Sequence, residues 1–170
     1  MVGEKPSDHQ FLYFAPMKTS LHSIKFILIS LLVGYVSMLL QSDSMVTWYP
    51  FLVKSPLTPP GKVFAYVWTA LYIIMGVSAG LVRGKRRPYY WVVILLFFIQ
   101  LSVNLLWSFT FFYMQLPLLA LIVLIVLFLA AAAYVVACYG QRPLAAYLNI
   151  PYLLWLLFAA YLNGYVVMFN

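Results

Sequence analysis

The sequence predicts an all-α membrane protein, a bundle of five transmembrane helices with a proline- and aromatic-rich lid loop between helices one and two. Three observations carry this. Of the 170 residues, 66% are hydrophobic and 8% are charged, against roughly 45–50% and 25% in a soluble domain. The apolar residues gather into five runs, and each of the last four reaches the roughly 20 residues a helix needs to cross a bilayer core. Acidic residues stop at Asp43, whereas Lys and Arg collect where the apolar runs end. A chain of one domain's length with this much apolar surface must place it in lipid.

Residues 1–20 form a polar N-terminal extension, broken by Pro6 and Pro16. Its apolar patch, Phe11 to Phe14, is too short for an amphipathic surface helix. The five-helix domain occupies residues 21–170. Its first span runs from about Ile24 to Leu40, with His22 and Lys25 at its start and the polar run Gln41-Ser42-Asp43-Ser44 after it. No small-x-small cleavage site follows, so it reads as a retained span rather than a signal peptide. The connection over residues 41–61 holds Pro50, Pro56, Pro59 and Pro60 together with Trp48, Tyr49 and Phe51. Prolines stiffen it and prevent a helix, and its aromatics predict that it packs onto the mouth of the bundle. The remaining spans are expected at about Val63–Val82, Tyr89–Tyr113, Leu118–Tyr139 and Leu144–Phe169. Their short connections predict that consecutive helices are antiparallel neighbours.

Charge placement predicts orientation. Lys5, Lys18, Lys25, the cluster Arg83-Gly84-Lys85-Arg86-Arg87 and Arg142 fall on one side, with only Lys54 and Lys62 on the other. The positive-inside rule then puts the N-terminus in the cytoplasm, and the first loop and C-terminus across the membrane. The same rule reads the net charge of +7 as lipid headgroup attraction rather than nucleic-acid binding.

Polar side chains within a span turn toward protein or a cavity. Gln100, Asn104 and Ser108 recur every fourth residue on the third span, with Trp107 beside them. Trp155, Ala159 and Asn163 repeat the spacing on the fifth span, and Trp68 and Tyr72 share a face of the second. These stripes are candidates to line one central pocket of aromatic faces with a few amides. The alternative is that the amides join helices without any ligand, which for Asn104 alone is the better reading. Gly76 and Gly80 form a G-x-x-x-G, and Ala130 to Ala133 a small-residue patch. Both suit close helix packing inside one bundle more than the seam of a homodimer, which stays open as an alternative.

The chemistry the sequence lacks also narrows the function. The spans hold no carboxylate to relay protons or pair with ions, and no acid–base pair or activated nucleophile stands out. Cys138 is alone in an apolar run, and His9 and His22 have no ligand spacing. Neither a metal site nor a covalent cofactor is expected.

Specific motifs add a resemblance. Trp48-Tyr49, Leu52, Lys54, Thr58-Pro59-Pro60-Gly61, Val63-Phe64 and Val67-Trp68 resemble the translocator protein family (TspO/MBR, peripheral benzodiazepine receptor-like). So do Asn104-Leu105-Leu106-Trp107-Ser108, and Pro151-Tyr152-Leu153-Leu154-Trp155 with Ala159, Leu162 and Asn163. The likeness covers residues 21–170. It implies five helices around a cavity lidded by the first loop, and a membrane receptor or carrier for a flat apolar ligand, a porphyrin above all. By the same resemblance Trp68, Tyr72, Asn104, Trp107, Ser108, Trp155 and Ala159 line that cavity, and Tyr49, Pro59 and Pro60 belong to the lid. Some bacterial members are said to degrade porphyrin in light, with tryptophans at the positions of Trp68 and Trp155. That leaves a light-dependent enzyme, or a structural or regulatory subunit, as alternatives. Leu57 stands where the family carries a lid tryptophan, and no Lys or Arg follows Tyr165 to complete the proposed sterol-recognition pattern. Sterol transport is therefore not expected.

Overall fold

The computed structural model describes residues 21–82 and 89–170. The N-terminal extension, with Lys5, Lys18 and the Phe11–Phe14 patch, and the basic cluster of residues 83–88 lie outside the described residues. In chain order the elements are α1 (Leu21–Gln41), α2 (Ser44–Thr47), a 3-10 turn (Tyr49–Phe51), α3 (Gly61–Leu81) and α4 (Tyr90–Ser108). A π-helical turn (Phe109–Tyr113), α5 (Pro117–Tyr139), α6 (Pro143–Tyr147) and α7 (Ile150–Phe169) complete the chain.

Five helical stretches are long and apolar enough to cross a membrane: His22–Gln41, Gly61–Leu81, Tyr90–Tyr113, Pro117–Tyr139 and Pro143–Phe169. Their number, length and apolar composition are those of a multi-pass integral membrane protein. Proline marks three helix starts. Pro117 and Pro143 open α5 and α6, and Pro151 sits in the first turn of α7, where the missing N–H had no partner to lose. The fifth span is thus two helices rather than the continuous one the sequence suggested, with the break at Leu148 and Asn149.

The helices close a ring in which α1 packs between α3 and α4, α4 packs on α5, and α5 on α7. Aromatic side chains link α7 back to α3, with Trp155 against Phe64 and Trp68. The expectation that consecutive spans are neighbours fails for α3 and α4, whose backbones approach each other little. Their facing side chains are large, Trp68 and Tyr72 against Trp107 and Asn104, whereas α1 offers small ones.

That contrast explains the α1–α3 seam. A Cβ on Gly76 would run into the backbone of Ile27, and one on Gly80 into Ser23. The G-x-x-x-G therefore serves packing within the bundle. Farther along, a Cβ on Gly34 would stand 2.6 Å from the Tyr72 ring. Lipid tails are as apolar as Leu, so this seam is held by close packing rather than by hydrophobic burial.

The end of the bundle away from the first loop is closed by a polar knot. Asn149 Nδ2 donates to Ser78 Oγ at 2.7 Å and to the Ala145 carbonyl at 2.9 Å. Ser78 Oγ donates to the same carbonyl at 2.8 Å and lies 3.0 Å from the Tyr134 hydroxyl. These bonds join α3, α5 and α6, while the buried Asn149 Oδ1 has no partner among the described residues.

Candidate ligand-binding cavity

The cavity begins where the α1–α3 seam ends. With Tyr72 wedged under Gly34, the two helices cannot stay in contact toward the loop, and a space of about 550 Å³ opens among α1, α3, α4 and the loop. Its size falls within the range of small-molecule sites. Leu31, Gly34, Tyr35, Ser37 and Met38 form the α1 wall, and Phe64, Trp68 and Tyr72 the α3 wall. Asn104, Trp107 and Ser108 come from α4, and Phe112 from the π turn. Met45, Tyr49 and Pro59 roof it from the loop.

The wall is mostly aromatic. Trp68 stacks on Trp107, ring centroids 5.8 Å apart and planes 28° from parallel, and Trp68 also meets Tyr72 at 5.8 Å. At the inner end the Tyr72 hydroxyl donates to Asn104 Oδ1 at 2.6 Å, and Asn104 Nδ2 donates to the Tyr152 hydroxyl at 3.4 Å. The Ser37 hydroxyl, on the same wall, is buried. No described lining residue is charged. Such a site suits a flat, apolar, π-rich body with a neutral polar contact at its deep end.

Of the ten candidate binding residues, Tyr49, Pro59, Trp68, Tyr72, Asn104, Trp107 and Ser108 line this cavity. Trp155, Ala159 and Pro60 do not. Trp155 sits behind Trp68, edge-on at 6.3 Å, and its buried Nε1 has no hydrogen-bond partner among the described residues. Ala159 and Asn163 border a separate void of about 40 Å³. The three stripes thus do not share one pocket, because the stacked Trp68 and Trp107 stand as a partition in front of α7. Asn104 and Asn163 join helices in either case: Trp107 Nε1 donates to Asn163 Oδ1 at 3.2 Å, and Asn163 Nδ2 to the Pro117 carbonyl at 2.8 Å. Gln100 is fully buried away from the cavity, its amide without a partner among the described residues.

The α1 wall was missed by sequence reasoning, although a signal for it exists. Ser23, Ser30, Ser37 and Ser44 recur every seventh residue, two helical turns, and all four are buried. Ser30 bonds back to the Phe26 carbonyl at 2.9 Å, a helical serine's usual way of satisfying itself.

The loop is tied down at several points. Ser44 Oγ donates to the Phe112 carbonyl, and Trp48 and Tyr49 pack on Phe111 and Phe112 of the π turn. Lys54 Nζ donates to the carbonyls of Tyr49, Pro50 and Leu52 at 2.9–3.0 Å and stands over the Tyr49 ring. Ser55 Oγ meets the Tyr161 hydroxyl at 2.9 Å. Asn170 accepts from the Val53 N–H at 2.9 Å and donates to its carbonyl at 3.2 Å. Burial pushes the Tyr49 phenol above its ordinary pKa. Leu57, which stands where the family carries a lid tryptophan by resemblance, is 65% exposed and does not line the cavity.

Comparison with known proteins gives a family and several relatives. The model of the TspO/MBR family matches residues 26–168. The "Tryptophan-rich protein TspO" of Chlorobaculum tepidum is 35% identical over 142 residues, covering 82% of this chain and 90% of its own. Its namesake from Archaeoglobus fulgidus is 35% identical over 150 residues, 85% of this chain and 94% of that one. The "Translocator protein" of Homo sapiens is 38% identical over 119 residues, 68% of this chain and 70% of its own.

Proposed function

The chain belongs to the TspO/MBR family, and on that premise we propose that it is a membrane receptor or carrier that takes a flat, largely apolar ligand of the porphyrin class into the cavity under the first loop. The observation that carries the reading is the cavity wall itself: two stacked indoles and a phenol in a space of about 550 Å³ without a charged lining residue. The names of relatives, "Tryptophan-rich sensory protein" from Cereibacter sphaeroides among them, agree with a sensing or receptor role. The loop acts as the lid, on the side of the membrane away from the cytoplasm.

The uncharged wall also sets how a porphyrin sits. Burying a carboxylate without a partner is costly, so the propionates of a bound macrocycle stay at the cavity's open edge and not against its aromatic wall. A titration of purified protein with protoporphyrin in darkness tests the reading through quenching of tryptophan emission. Saturable quenching supports it, and its absence refutes it.

A second reading, light-dependent porphyrin degradation with dioxygen as oxidant, is favoured by one observation. Trp68 faces the cavity with Trp107 at 5.8 Å and Trp155 at 6.3 Å behind it, a cluster of indoles that a photoexcited ligand could oxidise. A new absorbing product under illumination separates turnover from binding.

A further inference from the structure

Three boundaries enclose the cavity, and they differ in kind. Its far end is closed by the Tyr72–Asn104–Tyr152 hydrogen bonds, with the tight seam of Gly76 and Gly80 on α1 beyond them. Its roof is the loop, held by the Ser44, Lys54, Ser55 and Asn170 contacts already described. The third boundary is the side, between α1 and α3. There Tyr35 and Met38 line the cavity while remaining 55% and 51% exposed. Ala65 and Thr69 do the same from α3, and exposed Ser42 and Gly61 continue this edge to the loop end. Lining residues this exposed mark where the cavity is open rather than enclosed.

The depth of this opening matters. Thr69 lies eight residues into α3, about 12 Å along its axis at 1.5 Å per residue. Tyr35 lies six residues before the end of α1, about 9 Å by the same rise. Both spans are apolar helices of membrane-crossing length, so the inner part of the opening, at Tyr35 and Thr69, faces the hydrocarbon of the leaflet on the loop side.

We propose that ligands enter and leave the cavity sideways from that leaflet, through a window between α1 and α3 framed by Tyr35, Met38, Ala65 and Thr69, and not by lifting the loop. The partner of this surface is a membrane-dissolved apolar molecule, already concentrated and desolvated by the bilayer. Because the far end is closed, exchange is with one leaflet only. The inference rests on the ligand reading above, and its test has one arm that does not.

In nanodiscs holding one copy each, association and dissociation of protoporphyrin are followed by tryptophan quenching in three proteins: the wild type, an Ala65→Phe, Thr69→Phe pair that plugs the window, and a Ser55→Ala, Asn170→Ala pair that loosens the loop. The plug should slow both association and dissociation at least about tenfold, and the loosened loop should leave both within about twofold. Faster exchange from the loosened loop with no slowing by the plug would overturn the window. So would a plug that weakens binding only by faster dissociation, since that marks contact residues rather than a passage. The second arm uses no porphyrin. A Ser37→Cys variant should react with a maleimide carried on an acyl chain, and Thr69→Phe alone should suppress that labelling. Labelling that ignores Thr69→Phe would reject the window. No porphyrin binding by wild type, with labelling still suppressed, would reject the ligand reading and keep the window.

Discussion

Trp68 on α3 stacks against Trp107 on α4 at 5.8 Å, and this pair decides where the cavity lies. It holds two helices apart that are consecutive in sequence, and it screens α7 from the space so formed. Replacing either indole by Phe should weaken porphyrin binding or quenching several-fold, in line with roughly 1–3 kcal/mol for an aromatic stacking contact. Trp155→Phe should have a clearly smaller effect, because Trp155 touches Trp68 and not the cavity. Equal losses from Trp155→Phe and Trp68→Phe, measured by dark titration, would return α7 to the wall.

The α1–α3 seam gives a stability prediction. Gly76→Val would drive its side chain into the Ile27 backbone, and overpacking of this kind costs about 1–3 kcal/mol or more. Unfolding in mixed detergent micelles should show that loss. Gly164, where a Cβ meets nothing within 4 Å, serves as the control, since Gly164→Ala should leave stability unchanged or slightly raised.

Much of this was legible in the sequence, for definite reasons. Long apolar runs are a signal that lipid enforces without exception, so all five spans were read. The seven residues that do reach the cavity lie on α3, α4 and the loop, where large aromatics and amides stand out. Two features escaped. The α1 wall is built from Gly34, Ser37 and apolar residues, which look like ordinary lipid-facing sequence unless the seven-residue serine period is noticed. The partition by Trp68 and Trp107 is a matter of rotamers and helix order, and no spacing along one chain segment encodes it. The break before α7 did have a marker, Pro151, inside the run read as one helix.

Orientation is testable at the loop. Ser55 is buried against Tyr161, so Leu57, 65% exposed, is the better reporter. A Leu57→Cys variant in intact cells should react with a membrane-impermeant thiol reagent added outside. Labelling only in inverted vesicles would place the loop in the cytoplasm.

The buried Tyr49 phenol predicts an alkaline limit. Its folded pKa is raised above an unfolded value near 10, so the stability it contributes is complete below that value and is lost as pH rises through the raised one. Loop ordering, followed by hydrogen exchange at Val53 and Leu57, should therefore weaken above about pH 10. Tyr49→Phe should lose that pH dependence. A variant that keeps it would assign the transition to another group.

If porphyrin occupies the space among α1, α3 and α4, filling that space must weaken its binding. Ser108 is buried on the cavity wall, and Ser108→Phe would project a ring into it from α4. Titrated with protoporphyrin in darkness, a Ser108→Phe protein with wild-type helical content should show quenching reduced at least about tenfold in affinity, a loss of roughly 1.4 kcal/mol. Undiminished affinity in that protein would mean the porphyrin binds elsewhere, and the cavity would not be its site.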